Sequence, residues 1–426
     1  MFSDKGLCVR FLFVSAQLPG HLDWGGYLPT ARALHARGHA VLWVSGAEVQ
    51  AAVAHQGLPF QPVATTGWRW PPPPPLKPAP DTPRAEVMRA MQVRSLDQWL
   101  DVDRVVAAVD ALAPVVETFR PDVIVGEMFM AAAGIVAARA EIPFAVAGWP
   151  APAERADAGA HPLAAESRAR LQAILARVDA PAVNWTANGP AALASPHLHI
   201  SYWSPRWHGV ADGSVADGGA TIHGAQTRYV GGTRPAATPT PPPELPPPDD
   251  QPWVLITLGT SFNRDLAFFG AAAQAADALG CFPLVVTGRT LSSAEQAWLR
   301  PRLPRGTVLT PHVDFARTLP HLGAALHHGG AGTTHALVCH GVPQAVVPHA
   351  ADQQRQAQGV ARTAVGFHIA PAQATVDNLT QALAQLLPDR SSYRARARQL
   401  QDEFAALGGV PRAAGLLETM ATDAAA

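Results

Sequence analysis

The chain has 426 residues, 48% of them apolar and 15% charged, with a formal net charge of −1. That length exceeds one ordinary hydrophobic core and points to two domains, while the near-neutral charge excludes a general nucleic-acid binder, since no basic excess is available to neutralise phosphates. The three cysteines, Cys8, Cys281 and Cys339, lie in apolar surroundings without CxxC spacing, so they read as buried thiols of a reducing compartment rather than a zinc site or disulfide framework.

No stretch approaches the roughly 20 apolar residues of a spanning helix. The apolar run 12–14 is too short for a signal-peptide core, and a cytoplasmic protein is expected. Residues 8–16 alternate and then run apolar, as a buried first strand does. A loop rich in Gly and Pro follows, QLPGHLDWGG over residues 17–26, and then a predicted helix over 28–37 that stops at Gly38. Residues 40–44 form a second strand. This β-loop-α-β opening is that of a doubly wound sheet, whose ligands bind at the carboxyl ends of the strands.

The proline run within 68–80 excludes helix and central strand and predicts a stiff exposed loop. Helical periodicity covers 84–119, strands are expected at 122–125 and 144–147, and a helix near 131–139. From 150 to about 197 the alternation fades into an insertion. Residues 231–250, GGTRPAATPTPPPELPPPDD, are a Pro/Thr segment that cannot pack a core. The strand pattern restarts at 253–258 and alternates with helices through Val346. A last helical segment near 411–422 can cross back to the first half.

The expected organisation is therefore residues 1–232 as a first domain, 233–251 as linker, 252–408 as a second domain and 409–426 as a returning helix. Two doubly wound α/β halves, Rossmann-like, would face a central cleft able to hold two substrates.

The most informative stretch is HHGGAGTTHALVCHGVPQAVVPHAADQ, residues 327–353. A short apolar run, a glycine turn and a helix make an anion site, because the first N–H groups of the helix lack partners and glycine lets the backbone come close. The third glycine of GxGxxG is missing, and so is GxxxxGK[ST], which sets aside a nicotinamide site and an ATP-hydrolysing P-loop. His328 can donate to a phosphate oxygen, Thr333 and Thr334 add hydroxyls, and Asp352 with Gln353 offers the carboxylate and amide that read vicinal sugar hydroxyls.

HHGGAGTT with GVPQAVVP and DQ resembles the donor signature of nucleotide-sugar-dependent glycosyltransferases of the two-domain GT-B fold. The nearer likeness is to bacterial enzymes that glycosylate natural products and lipophilic acceptors. The resemblance spans most of the second half and the N-terminal PGH loop. It implies that His328, Gly330, Gly332 and Thr333 contact the diphosphate, and that Asp352 and Gln353 hold the sugar. It further implies that Gly259, Thr260 and Ser261 lie near the donor phosphates and that Val313 meets the nucleobase. The plant form places a ribose-binding glutamate where this chain has Ala336, so the choice between a UDP- and a dTDP-sugar stays open.

Alone, His21 is one of 17 histidines, and a loop histidine is most often a packing residue. The resemblance makes it the base that activates the acceptor, since a neutral imidazole can take a hydroxyl proton at cellular pH. Glu127, just past the strand at 123–125, is the expected carboxylate partner, where the family more often has aspartate; Asp23 is the alternative.

An inverting displacement without metal or other cofactor is expected. The DxD at Asp101–Asp103 reads as a solvated helix face. Tryptophans Trp24, Trp68 and Trp149 would bind a lipophilic or aromatic small-molecule acceptor. Two alternatives are a non-hydrolysing nucleotide-sugar epimerase on the same fold and a non-catalytic sugar-nucleotide-binding accessory protein.

Overall fold

A computed structural model describes residues 8–71, 76–148, 163–180, 195–209, 227–234, 240–247, 251–260, 263–349, 352–387 and 391–425. It divides into two compact units. One comprises residues 1–202, 212–230 and 410–426; the other comprises 203–211 and 231–409.

In the first unit the described residues form a parallel seven-stranded sheet. Its strands are β1 Arg10–Val14, β2 Ala40–Ser45, β3 Phe60–Pro62, β4 Val123–Gly126, β5 Phe144–Ala147, β6 Leu198–Ser201 and β7 Thr227–Tyr229. Their order is β3-β2-β1-β4-β5-β6-β7. The order reverses between β1 and β4, and the register sets Val14 opposite both Val44 and Gly126. The central strands β1, β2, β4 and β5 are nearly continuous runs of apolar residues, as a sheet covered on both faces requires.

Helices α1 Tyr27–Ala36, α2 Gln50–Ala54, α3 Arg84–Trp99, α4 Val102–Phe119, α5 Ala131–Arg139 and α6 Ala164–Val178 connect or cover these strands. The core on the α3–α6 side gathers Leu96, Trp99, Leu112, Ile135 and Ile174 around Ile124 and Val146. The helical run expected over 84–119 is broken at Leu100–Asp101, because the Asp101 side chain accepts from Arg104 N and caps α4. Asp101 is thus a helix cap, while Asp103 pairs with Arg177.

The second unit carries a parallel six-stranded sheet among the described residues. Its strands are β8 Trp253–Thr257, β9 Phe282–Val286, β10 Val308–Thr310, β11 Leu322–His327, β12 Gln344–Val346 and β13 Gly366–His368, ordered β10-β9-β8-β11-β12-β13. The reversal falls between β8 and β11, where His327 lies opposite Thr257. Its helices are α7 Pro205–His208, α8 Leu266–Asp277, α9 Ser293–Leu299, α10 Phe315–Thr318, α11 Ala331–Cys339, α12 Gln353–Thr363, α13 Val376–Leu386 and α14 Ser392–Ala406. Side-chain caps start many of them: Asp265 for α8, Ser292 with Glu295 in a capping box for α9, Thr375 for α13 and Ser391 for α14.

Two departures from the sequence reading concern the second unit. Trp203 and Trp207 precede the Pro-rich segment, yet they stack at 4.5 Å in this unit, with Phe404 edge-on and the Arg362 guanidinium donating to the Trp207 carbonyl. The Pro/Thr segment is also not excluded from packing. Leu245 joins the cluster of Trp253, Leu255 and Leu284, and Arg317 Nε and Nη2 donate to the Thr240 and Pro241 carbonyls at 3.2 and 3.1 Å. The last helix, α15 Gly409–Ala425, is grouped from residue 410 onward with the first unit, where Glu418 meets Arg37 and His39.

Candidate active site

In a doubly wound sheet the loops leaving neighbouring strands part at the reversal of strand order and leave room there for a ligand. In the first unit those loops follow β1 and β4, and they carry His21 and Glu127. Glu127 comes one residue after β4, level with Ser15, which follows β1. His21 ends a short turn of 3-10 helix, Pro19–His21, whose proline fits the first helical position.

His21 Nδ1 lies 2.7 Å from Glu127 Oε2, and Glu127 is fully buried. Oε1 of the same carboxylate accepts from Ala16 N at 2.8 Å, and Oε2 also accepts from Trp24 Nε1 at 3.0 Å. When Nδ1–H donates to the carboxylate, the lone pair is left on Nε2, the form a general base needs. Asp23, the alternative partner, is exposed.

Tyr27 lies beneath this pair, its hydroxyl reaching the carbonyls of Val14 and Val125 at 2.9 and 3.0 Å across β1 and β4. Burial first, and the nearby Glu127 carboxylate second, hold its pKa well above the usual phenol value.

Trp24 and Trp68, expected as acceptor platforms, are 5% and 6% exposed. Their rings pack edge-on against His21 at centroid distances of 4.7 and 4.6 Å, and Phe129 stands 6.2 Å away. Both rings touch the imidazole and wall His21. Trp149 lies outside the described residues.

In the second unit the reversal point carries the glycine turn. His327 is buried at the end of β11, with Nε2 2.9 Å from Gln344 Oε1 and Nδ1 accepting from Gly329 N at 3.1 Å. These bonds suit a neutral ring, and burial lowers its pKa to about 4. Gly329 takes φ +86°, and a Cβ there would meet Val346 Cγ1 at 2.6 Å and Gln353 O at 3.0 Å. The glycine turn and the Asp-Gln pair therefore touch.

His328 is buried, and its pKa is pushed down to about 3, by burial first and then by His327 and His349. Its Nδ1 has no hydrogen-bond partner among the described residues. The ring rests on Gly259, where a Cβ would come within 2.7 Å of it, and on Gly330. Those two glycines make room for an imidazole as much as for a ligand. Gly259 has φ +67°, its N–H bonds Thr257 Oγ1 and its carbonyl accepts from Asn263 Nδ2 at 3.0 Å. Thr260 is exposed, and Ser261 lies outside the described residues.

Gly330 caps α11, so the N–H groups of Ala331, Gly332 and Thr333 form its unpaired first turn. Thr334 is not available as a ligand, since its hydroxyl bonds back to Gly330 O at 2.8 Å; Thr333 is half-buried. Asp352 is half-buried at the start of α12, and Gln353 Oε1 accepts from His349 N at 2.7 Å. Val313 and Ala336 pack against the same core cluster.

The family of the erythromycin biosynthesis protein CIII-like C-terminal domain matches residues 290–416. The L-demethylnoviosyl transferase of Streptomyces niveus is 30% identical over 419 residues, 93% of this chain and 94% of that protein. The chain belongs to the natural-product glycosyltransferases of the GT-B fold. The 10-deoxymethynolide desosaminyltransferase of Streptomyces venezuelae is 31% identical over 171 residues, but this match spans only 40% of the chain and 39% of that relative. Among solved structures, the kitacinnamycin glycotransferase shares the fold, with a TM-score of 0.73 and 23% identity over 97% of this chain and 98% of that one.

Within this glycosyltransferase fold, sequence reasoning missed His327, the Trp24 bond to Glu127 and the Tyr27 bridge. The signal for His327 was in the quoted motif, where two adjacent histidines cannot point the same way from one strand. Trp24 and Tyr27 left no comparable trace, because their roles depend on the register of β1 with β4. Among the described residues, no cluster of His, Cys, Asp or Glu could hold a metal ion, and no helix is long and apolar enough to cross a membrane.

Proposed function

We propose that this glycosyltransferase moves a hexose or deoxyhexose from a UDP- or dTDP-sugar to a hydroxyl, or other nucleophile, of a lipophilic or aromatic small molecule, with inversion and without a metal. The observation that carries the reading is the buried His21–Glu127 pair at the strand-order reversal. The acceptor O–H gives its proton to His21 Nε2, and its oxygen forms the new bond to the anomeric carbon. The bond from that carbon to the diphosphate breaks, and the electron pair leaves with the diphosphate.

The charge on His21 is stabilised by Glu127, and the leaving charge by the first turn of α11, the Thr333 hydroxyl and a neutral, donating His328. Gly259, Thr260 and Ser261 line the phosphates, Val313 the base, and Asp352 with Gln353 the sugar. The relatives' names support sugar transfer: one moves a desosaminyl group, another a demethylnoviosyl group.

Incubation with UDP- and dTDP-sugars and a panel of hydroxylated aromatics, with and without EDTA, tests the reading. The expected result is a glycoside of inverted anomeric configuration, formed equally in EDTA. An isomerised donor would indicate epimerisation instead, binding without turnover an accessory role, and collapse in EDTA a metal requirement.

A further inference from the structure

His21 can work as a base only if its partner carboxylate is held still, and Glu127 is a long side chain with three rotatable bonds. Three donors converge on its two oxygens. Ala16 N takes Oε1 at 2.8 Å, while Trp24 Nε1 and His21 Nδ1 share Oε2 at 3.0 and 2.7 Å. The backbone donor lies two residues past β1. The indole donor is fixed by its loop and by the edge-on contact of Trp24 with the imidazole, at 4.7 Å and 68°.

Trp24 therefore touches both members of the pair. Its N–H holds the oxygen that His21 must find, and its ring faces the imidazole that must be oriented. Gly148 sits against the same indole, where a Cβ would come within 2.6 Å of Trp24 Cδ1, so the ring has little freedom to tilt away. Bonds from N–H donors to a carboxylate are short and strong, and each one removed leaves a buried charge under-satisfied.

We propose that Trp24 is a positioning residue, whose indole N–H locks the Glu127 carboxylate so that His21 presents Nε2 in its lone-pair form. The inference rests on the reading of His21 as the base, but it makes a claim about the free protein that can be checked without any substrate.

The experiment is long-range ¹H–¹⁵N spectroscopy of ¹⁵N-histidine-labelled protein, comparing the unsubstituted chain with Trp24→Phe, which keeps a ring but removes the donor. His21→Gln identifies the signal. The unsubstituted chain should show His21 as a single tautomer with the proton on Nδ1. Trp24→Phe should show a mixture of tautomers. Retention of the single Nδ1–H form in Trp24→Phe overturns the proposal.

A donor–acceptor pair that yields product in the panel above supplies a second readout. Trp24→Phe should lower kcat by about tenfold, the effect of losing one charge-assisted bond, with the donor KM unchanged. In a Glu127→Gln background the same substitution should cost less than about twofold, because residues acting through one another are non-additive. A merely structural role would give equal losses in both backgrounds and would overturn the proposal.

Should Trp24→Phe fail to fold, the indole N–H of Trp24 in the unsubstituted chain serves instead, assigned by its proximity to His21. Slow exchange with solvent is expected, and exchange as fast as that of the exposed Trp70 overturns the claim. Loss of activity in His21→Ala is not part of this test. If His21 proves dispensable while the tautomer still responds to Trp24, the base assignment falls and the positioning contact stands.

Discussion

Glu127 carries one methylene more than the aspartate that the family more often has at this place, and the structure shows where the length is used. Oε1 turns back to Ala16 N, just past the neighbouring strand β1, while Oε2 goes forward to His21 and Trp24. Glu127→Asp withdraws the carboxylate by about 1.5 Å, one carbon–carbon bond, and cannot keep both ends. Misplacement on this scale should lower kcat by about a hundredfold with donor affinity unchanged, as turnover and calorimetry on one preparation would show.

The buried histidines of the glycine turn make a second prediction. His327 and His328 are held below the ordinary value of 6.5, at about 4 and about 3, chiefly by burial. Above 6.5 both folded and unfolded chains carry them neutral, so their stabilising contribution is complete. As pH falls below 6.5 the unfolded chain takes up protons first, and stability is lost through the window down to about 4 for His327 and about 3 for His328. Urea unfolding between pH 7 and 5, where carboxylates do not yet titrate, should show this slope. His327→Gln should remove about half of their contribution to it, leaving that of His328.

At the scale of elements, strands and helices were legible wherever apolar periodicity was unbroken. Helix α5 and strand β5 coincide with their expected limits, and β2 with one residue added. The helix over 84–119 was misjudged because both sides of Asp101 share one helical pattern, and only the Asp101–Arg104 bond reveals the break.

The glycines of the second unit were read as room for a ligand, but spacing could not show that His328 fills part of that room. Gly259→Ala meets two penalties: a left-handed φ of +67°, and a Cβ 2.7 Å from His328. It should weaken donor binding at least about tenfold and lower the melting temperature, measured by calorimetry and thermal unfolding. Thr260→Ala, at an exposed position with no such constraint, should not change the melting temperature.

At the scale of the whole chain, one plan is used twice: a parallel sheet with its order reversed beside the first strand, and candidate site residues on the loops at that reversal. Alternation of strand and helix made both sheets legible, and the motifs pointed to both reversal points. The exchange of segments was harder to read for residues 203–211, which sit in the second unit, because local periodicity carries no record of which distant surface a segment joins; residues 410–426 sit in the first, where a returning helix was expected. For α15 that attachment is apolar as well as charged: Ala413, Ala414 and Leu417 are fully buried, beside the Glu418 bonds to Arg37 and His39. Leu417→Ala should cost about 2–5 kcal/mol of stability by unfolding titration, more than Glu418→Ala, whose partly exposed ion pair is worth about 1 kcal/mol or less.

The base assignment is tested most directly by His21→Ala under single-turnover conditions at saturating donor, with donor affinity measured on the same sample. Transfer should fall by about a thousandfold, within the range expected for loss of a general base, while the dissociation constant for the sugar nucleotide stays within about twofold. Transfer at the unsubstituted rate would show that another group takes the acceptor proton, and would contradict the account.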